Sequence, residues 1–217
     1  MKETSAFVRS VILGGQDGLV NVLGIVLAIA KPTQNKHVIL ISGLASTFAE
    51  SISMAAVAYT SAQAGKEYYA QKMRKVEKSV EGNAKREVRK VLRAHGFEGS
   101  FLNKAISYFV RDKQKVRKLL DGQANEFDHP VRDAVVVGFA ALLGSVVPLI
   151  AFLFLYVGTA VWATLVISTL VLFIAGLVKG KYTGVSPLKS GVELAIVGMV
   201  AAIAGYGIGA LLGALPG

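Results

Sequence analysis

Residues 134–157 have the sequence AVVVGFAALLGSVVPLIAFLFLYV, and residues 159–178 have the sequence TAVWATLVISTLVLFIAGLV. Neither stretch contains a Lys, Arg, Asp or Glu. About 20 apolar residues in a helix span the hydrocarbon core of a bilayer, which is roughly 30 Å thick. The two stretches therefore predict two transmembrane helices joined by a very short turn.

Three further stretches of similar length are almost as apolar: residues 11–30, 38–62 and 191–215. Each contains a single charged residue, which is Asp17, Glu50 or Glu193 respectively. Of the 217 residues 53% are hydrophobic and 18% are charged, whereas soluble chains average about 25% charged residues. Five such stretches favour an all-α, polytopic membrane protein with five transmembrane helices over a soluble helical core.

A polar insert, residues 63–133, separates the second and third spans. It contains 17 Lys and Arg against 10 Asp and Glu, and so carries most of the net charge of +10. Its pattern predicts a small helical domain. Its first helix, residues 63–81, continues the second span. A second helix has Val88, Val91 and Leu92 on one face and ends at Gly96. A third helix is capped by Ser100 and has an apolar face that consists of Leu102, Ile106, Phe109, Val116 and Leu120. We expect three regions: residues 1–62, 63–133 and 134–217.

The distribution of basic residues predicts the orientation of the chain in the membrane. By the positive-inside rule the insert is cytoplasmic, and Lys2, Arg9 and the lysines between spans four and five fall on the same side. Lys31 and Lys36 are on the other side. We therefore expect an integral membrane protein whose N-terminus is cytoplasmic and whose C-terminus is on the opposite side.

Two acidic residues lie deep inside predicted spans, where a carboxylate is costly and usually serves a function. Asp17 follows Gly14-Gly15-Gln16, and Asn21 is one turn further on the same helix face. In the second span, Glu50 and Met54 are one turn apart. At about 1.5 Å per residue, Asp17 lies roughly 12 Å from Arg9, and Glu50 roughly 18 Å from Ala62, so all four residues occupy one slab of the bilayer.

Carboxylates and an amide oxygen bind hard divalent cations, and a thioether shifts the preference toward first-row transition metals. This set predicts a metal site formed by Asp17, Asn21, Glu50 and Met54. The alternatives are that Met54 only packs, that Glu50 pairs with a basic residue from another helix, and that Glu193 reaches the membrane surface. Gly205, Gly209 and Gly213 form a close-packing face, for which a homodimer contact and packing within the chain are equally good explanations.

No motif for an enzyme is present. The sequence has no phosphate-binding loop, dinucleotide fingerprint or catalytic triad order, and His95 and His129 have no partner at metal-ligand spacing. We predict that the protein is not an enzyme and has no tightly bound cofactor. The basic runs of the insert are most simply solvated surfaces. Contact with anionic lipid is the second interpretation, and nucleic-acid binding is not expected because aromatic residues are not interleaved with the basic ones.

Several motifs resemble those of the vacuolar iron transporter family: Gln16-Asp17-Gly18-Leu19-Val20-Asn21, Gly43-Leu44-Ala45, Ser51-Ile52-Ser53-Met54-Ala55, Leu143-Gly144 with Pro148, and Gly176-Leu177-Val178-Lys179. The resemblance extends over all five spans in order. It implies a homodimer that exports Fe²⁺ or Mn²⁺ from the cytosol in exchange for protons. It also implies a pathway at the dimer interface lined by Asp17 and Met54.

The sequence departs from that family at two places. Val57-Ala58 stands where many members have a Gly-Glu pair, and Ser46 stands where a second-span acid is expected, so Glu50 is the candidate substitute. In the insert, Lys and Arg replace most of the family's Glu residues. The acids that could still bind metal there, weakly, are Glu77, Glu81, Glu87 and Glu126.

The prediction is thus a secondary transporter whose partners are Fe²⁺ or Mn²⁺, membrane lipid and a second copy of the chain. The alternative is a membrane scaffold that does not transport and whose basic insert binds anionic lipid or a partner protein.

Overall fold

The computed structural model describes residues 2–78, 82–112, 115 and 129–214. Within these residues the chain forms seven helices and no strand. They are α1 (Lys2–Thr33), α2 (Lys36–Lys78), α3 (Gly82–Ala94), α4 (Gly99–Val110), α5 (Pro130–Phe154), α6 (Val157–Thr183) and α7 (Pro187–Gly213). Helices α1, α2, α5, α6 and α7 are long and apolar enough to cross a bilayer, which confirms the predicted all-α, five-span architecture.

Short polar or glycine turns separate the apolar helices. Between α1 and α2, Gln34 has a positive φ of 49°, and the Asn35 side-chain oxygen accepts hydrogen bonds from the backbone N–H groups of His37 and Val38 at 2.9 and 3.3 Å. Those bonds satisfy donors at the start of α2 that have no partner within the helix. Gly184, with φ 72°, ends α6, and Pro187 begins α7.

The helices form two compact units. The first comprises Met1–Tyr59 and Val131–Gly217, and the second comprises Thr60–Pro130. The first unit has a continuous apolar core to which all five long helices contribute: Val22, Leu23, Val26, Leu27, Ala30, Ile39, Leu149, Phe152, Val157, Ala160 and Ala202.

Close helix contacts in the first unit depend on glycine. A Cβ atom added to Gly205, Gly209 or Gly213 of α7 would collide with Gly24, Ala28 or Pro32 of α1, respectively. The glycine stripe of the last span therefore packs α7 against α1 within the chain. Of the two uses that the sequence left open, this is the one the structure shows.

The second unit contains a helical hairpin with its own core. Val88, Val91 and Leu92 of α3 are buried against Leu102 and Ile106 of α4. Gly96, with φ 83°, follows the end of α3 as the sequence predicted. The predicted cap at Ser100 is wrong, because α4 begins at Gly99 with Glu98 in the N-cap position. Val116 and Leu120 lie outside the described residues.

Candidate functional site

Three of the four predicted site residues meet inside the first unit. The Asn21 side-chain N–H of α1 donates a hydrogen bond to the Glu50 carboxylate of α2. The carboxyl group of Asp17 lies near that of Glu50, close enough for the two groups to interact. The structure thus brings together two carboxyl groups and one amide from two different helices, and the hydrogen-bonded residues Asn21 and Glu50 are 29 positions apart in the sequence.

Glycine contacts with α5 determine which face of α1 carries this cluster. Cβ atoms on Gly14 and Gly18 would meet the backbone of Val137 and Ala141, so the glycine face of α1 packs directly on α5. Asp17 and Asn21 border this face, since they follow Gly14 by three and seven residues, and both side chains are exposed in a single copy. The small residues therefore absorb the helix packing and leave the polar residues available to a ligand.

The exposed polar residues line one end of an open cleft of about 570 Å³ between α1 and α7. Asp17 and Asn21 contribute its polar atoms, and the other lining residues are apolar or glycine: Val20, Gly24, Ile25, Ala28, Ala201, Gly205 and Ile208. A cation in this cleft would find its oxygen ligands at one position only.

No basic side chain among the described residues pairs with either carboxyl group. The ion pairs in this part of the chain include Glu87 with Lys90 and Arg132 with Asp133, whereas Asp17 and Glu50 have no Lys or Arg partner there. No group of three or more Asp, Glu or His among the described residues could hold a metal. The described residues of one copy thus bring two carboxyl groups and one amide together here.

A model of the VIT family matches residues 8–210. The chain belongs to the VIT family. The VIT match begins before Asp17 and ends after Gly209, so all the residues of the cleft lie inside it.

Curated relatives agree with the VIT assignment. The chain is 26% identical over 208 residues to vacuolar iron transporter 1 of Arabidopsis thaliana, covering 92% of this chain and 83% of the relative. It is 27% identical to the vacuolar iron transporter of Toxoplasma gondii, covering 96% and 75%. It is 28% identical to the protein CCC1 of Saccharomyces cerevisiae, covering 95% and 69%. Together with the five apolar helices, these matches identify the chain as an integral membrane protein of a transporter family.

Met54 is the fourth residue predicted for the pathway in this VIT protein. It is half-buried on α2, one turn beyond Glu50. Its thioether is not part of the hydrogen-bonded cluster described above. Ser46, where a second-span acid was expected, is half-buried one turn on the other side of Glu50.

The remaining acidic candidates lie elsewhere. Glu193 is exposed near the start of α7, outside the cleft lining. Glu87 on α3 is 3.5 Å from Lys90, so a basic neighbour already engages its carboxylate. Glu77 belongs to α2, but its side chain is not described, and Glu81 and Glu126 lie outside the described residues. The weak metal site predicted for the insert stays a prediction.

Sequence reasoning missed the contribution of α7 to the cleft. Ala201, Gly205 and Ile208 line it opposite Asp17 and Asn21. The small residue Gly24 in α1 and the glycine stripe in α7 were the available signal, because two small residues allow two helix backbones to approach. That signal does not identify the partner helix by itself.

Proposed function

We propose that this protein is a secondary transporter that exports Fe²⁺ or Mn²⁺ from the cytosol in exchange for protons. The observation that carries the proposal is the cluster of Asp17, Glu50 and Asn21, which lies within two apolar spans and has no basic partner among the described residues. Two of its members, Asp17 and Asn21, also line an open cleft. The names of three similar proteins, two of them vacuolar iron transporters, support the choice of metal class.

The energetics of the membrane favour a transport role for these acids. A carboxylate at the centre of a bilayer costs about 2.5–3.5 kcal/mol on insertion scales, and such residues normally pair or line an ion pathway. Pairing with Lys or Arg does not apply to Asp17 or Glu50 within the described chain. A divalent cation would offset the charge of both carboxylates at once, and this is the role we assign to the pair.

We propose that Met54 completes the ligand set. Oxygen ligands alone suit Mg²⁺, Ca²⁺ and Mn²⁺, whereas a thioether adds affinity for softer transition metals. Met54 lies one turn from Glu50 on α2, close enough in sequence to accept an ion from the carboxylate cluster. The thioether would thus favour Fe²⁺ over the abundant hard cations Mg²⁺ and Ca²⁺, while the oxygen ligands also suit Mn²⁺.

We also propose that two copies form the complete pathway. Asp17 and Asn21 are exposed on the surface of one copy, and the described residues of one copy bring two carboxyl groups together there. A two-fold symmetric dimer that covers this surface would remove both residues from lipid and place two clusters opposite each other. Four carboxylates, two amides and two thioethers would then surround the ion.

Protons are the proposed counter-ion because metal ligands must be deprotonated when they bind metal. A carboxyl group that gives up a proton to one side of the membrane when it accepts a metal ion couples the two fluxes. We place the N-terminus and the basic insert in the cytoplasm and the C-terminus on the opposite side, following the distribution of Lys and Arg.

The test is metal flux into proteoliposomes. We expect the wild-type protein to carry Fe²⁺ or Mn²⁺ faster with an opposing proton gradient than without one. We expect Asp17→Asn and Glu50→Gln to reduce flux to the level of empty liposomes, because each removes a charged ligand. Glu193→Gln, an exposed acid outside the cleft, is the matched control and should retain flux.

Full flux in both cluster variants would refute the site. If the wild-type protein transports none of Fe²⁺, Mn²⁺, Co²⁺ and Zn²⁺, the result would instead favour the alternative function, a membrane scaffold that does not transport.

A further inference from the structure

Helix α3 has two chemically distinct faces. Val88, Val91 and Leu92 are buried against α4. The basic side chains of the helix are all exposed: Lys85, Arg86, Arg89, Lys90 and Arg93. At 100° per residue these five positions fall within one arc of about 140°, which begins at Lys85 beside Leu92 and extends to the side opposite Val88. We call this surface the basic face of α3.

Few of these charges are neutralised within the protein. Lys90 lies 3.5 Å from Glu87, and an Arg89 guanidinium N–H donates to the side-chain oxygen of Asn103 at 3.4 Å. Lys85, Arg86 and Arg93 have no carboxylate partner among the residues that the structure describes. Residues 82–112 contain seven Lys and Arg against three Asp and Glu. Among the described residues, the hairpin therefore has an excess of positive charge on its surface.

The composition of the basic face limits the kind of partner it fits. The apolar side chains of α3 that are larger than that of alanine are all buried in the hairpin core. The basic face of α3 therefore has no large apolar side chain that could insert into a partner. It also contains no aromatic residue on which a nucleobase could stack. What remains is a rigid array of cations, which suits a surface with many anionic groups.

The chain tethers this array to a membrane at both ends. The insert follows α2 and precedes α5 in the sequence, and both helices are long and apolar enough to span a membrane. The bilayer is thus part of the same tethered assembly, and its anionic phospholipid headgroups have the complementary charge. We propose that the basic face of α3 binds the anionic phospholipid headgroups of the membrane in which the protein is embedded. This inference does not depend on metal transport.

The chain has no Cys, which allows one fluorophore to be attached at a single introduced position. Ala94→Cys is an exposed site at the end of α3. The labelled full-length protein would be reconstituted in nanodiscs that carry an energy-transfer acceptor on their headgroups. One set contains phosphatidylcholine alone and the other contains roughly 30% phosphatidylserine. We expect higher energy transfer in the anionic discs, and we expect high salt to remove the increase because a purely electrostatic contact is screened.

The variant K85Q/R86Q/R93Q should lose the increase in energy transfer, since it neutralises the three cations that have no carboxylate partner among the described residues. K66Q/R74Q/K104Q is the matched control: it removes the same charge from exposed positions on α2 and α4 and should keep the increase. Both variants leave the hairpin core intact. Equal energy transfer in the two lipids would show that the face meets solvent or a soluble acidic partner, and it would overturn the proposal. An equal loss in the control variant would overturn it too.

Discussion

At the scale of single residues, the cluster of Asp17, Asn21 and Glu50 is organised by one amide. Asn21 donates to the Glu50 carboxylate, so it holds the acid of α2 toward α1 without contributing charge. A hydrogen bond to a charged group contributes about 1.5–3 kcal/mol. Asn21 is therefore a positioning residue for the proposed site, in addition to being a possible oxygen ligand.

The corresponding prediction concerns Asn21→Leu. Without the amide, Glu50 loses its orientation, and we expect the apparent affinity for the transported metal to weaken about tenfold or more, because 1.4 kcal/mol corresponds to a factor of ten. The measurement is the metal concentration that gives half-maximal flux in proteoliposomes. Ser46→Ala, one turn from Glu50 on α2, serves as the control and should leave this value unchanged. Equal losses in both variants would contradict the role given to Asn21.

At the scale of helices, small residues determine which elements touch. Gly144 of α5 lies against the backbone of Gly15, and Gly205 of α7 lies against the backbone of Gly24. Within a bilayer there is little hydrophobic drive between helices, so close backbone packing supplies much of the association energy. The glycines beside Asp17 thus stabilise the same helix arrangement that exposes the site.

This predicts opposite results for two neighbouring glycines of α7. A Cβ on Gly205 would collide with the Gly24 backbone, whereas a Cβ on Gly207 would have nothing within 4 Å. We expect Gly205→Ala to destabilise the protein by about 1–3 kcal/mol through overpacking. Gly207→Ala should be neutral or stabilise it by up to about 1 kcal/mol, because alanine favours helix. Thermal unfolding in detergent measures both, and a larger loss at Gly207 would contradict the packing described here.

At the scale of the whole molecule, the polar cluster is open on one side. The α1–α7 glycine contact is satisfied within the chain, so it is not available as a dimer contact. The surface that contains Asp17 and Asn21 is exposed in one copy, and it is the surface that we propose a second copy covers. The proposed dimer therefore joins through the α1 cleft rather than through the glycine stripe.

Cross-linking tests this arrangement. Leu13 is 54% exposed and lies one turn before Asp17 on α1, and Trp162 is 71% exposed on α6. In a chain without Cys, we expect Leu13→Cys to form a cross-linked dimer in native membranes with a short bifunctional reagent. Trp162→Cys should not, because we assign its surface to lipid. Cross-linking at Trp162 alone would place the contact on α6 and exclude the proposed interface.

The amino-acid sequence alone predicted the five spans, the continuation of α2 beyond the membrane and the common depth of Asp17, Asn21 and Glu50. These features follow from local chemistry. The length of an apolar run, compared with the thickness of the bilayer, determines where a helix crosses the membrane. The number of residues from the end of the span determines how deep a side chain lies in it. The start of α4 was missed because cap preferences shift by a residue or two at little cost.

Only the tertiary structure decided that the glycine stripe of α7 packs on α1, that α7 lines the cleft beside Asp17, and that Asn21 engages Glu50. The physical reason is that a membrane helix is apolar on nearly every side. Its sequence therefore does not mark which face meets another helix and which meets lipid, and only the mutual fit of backbones and small side chains makes that choice.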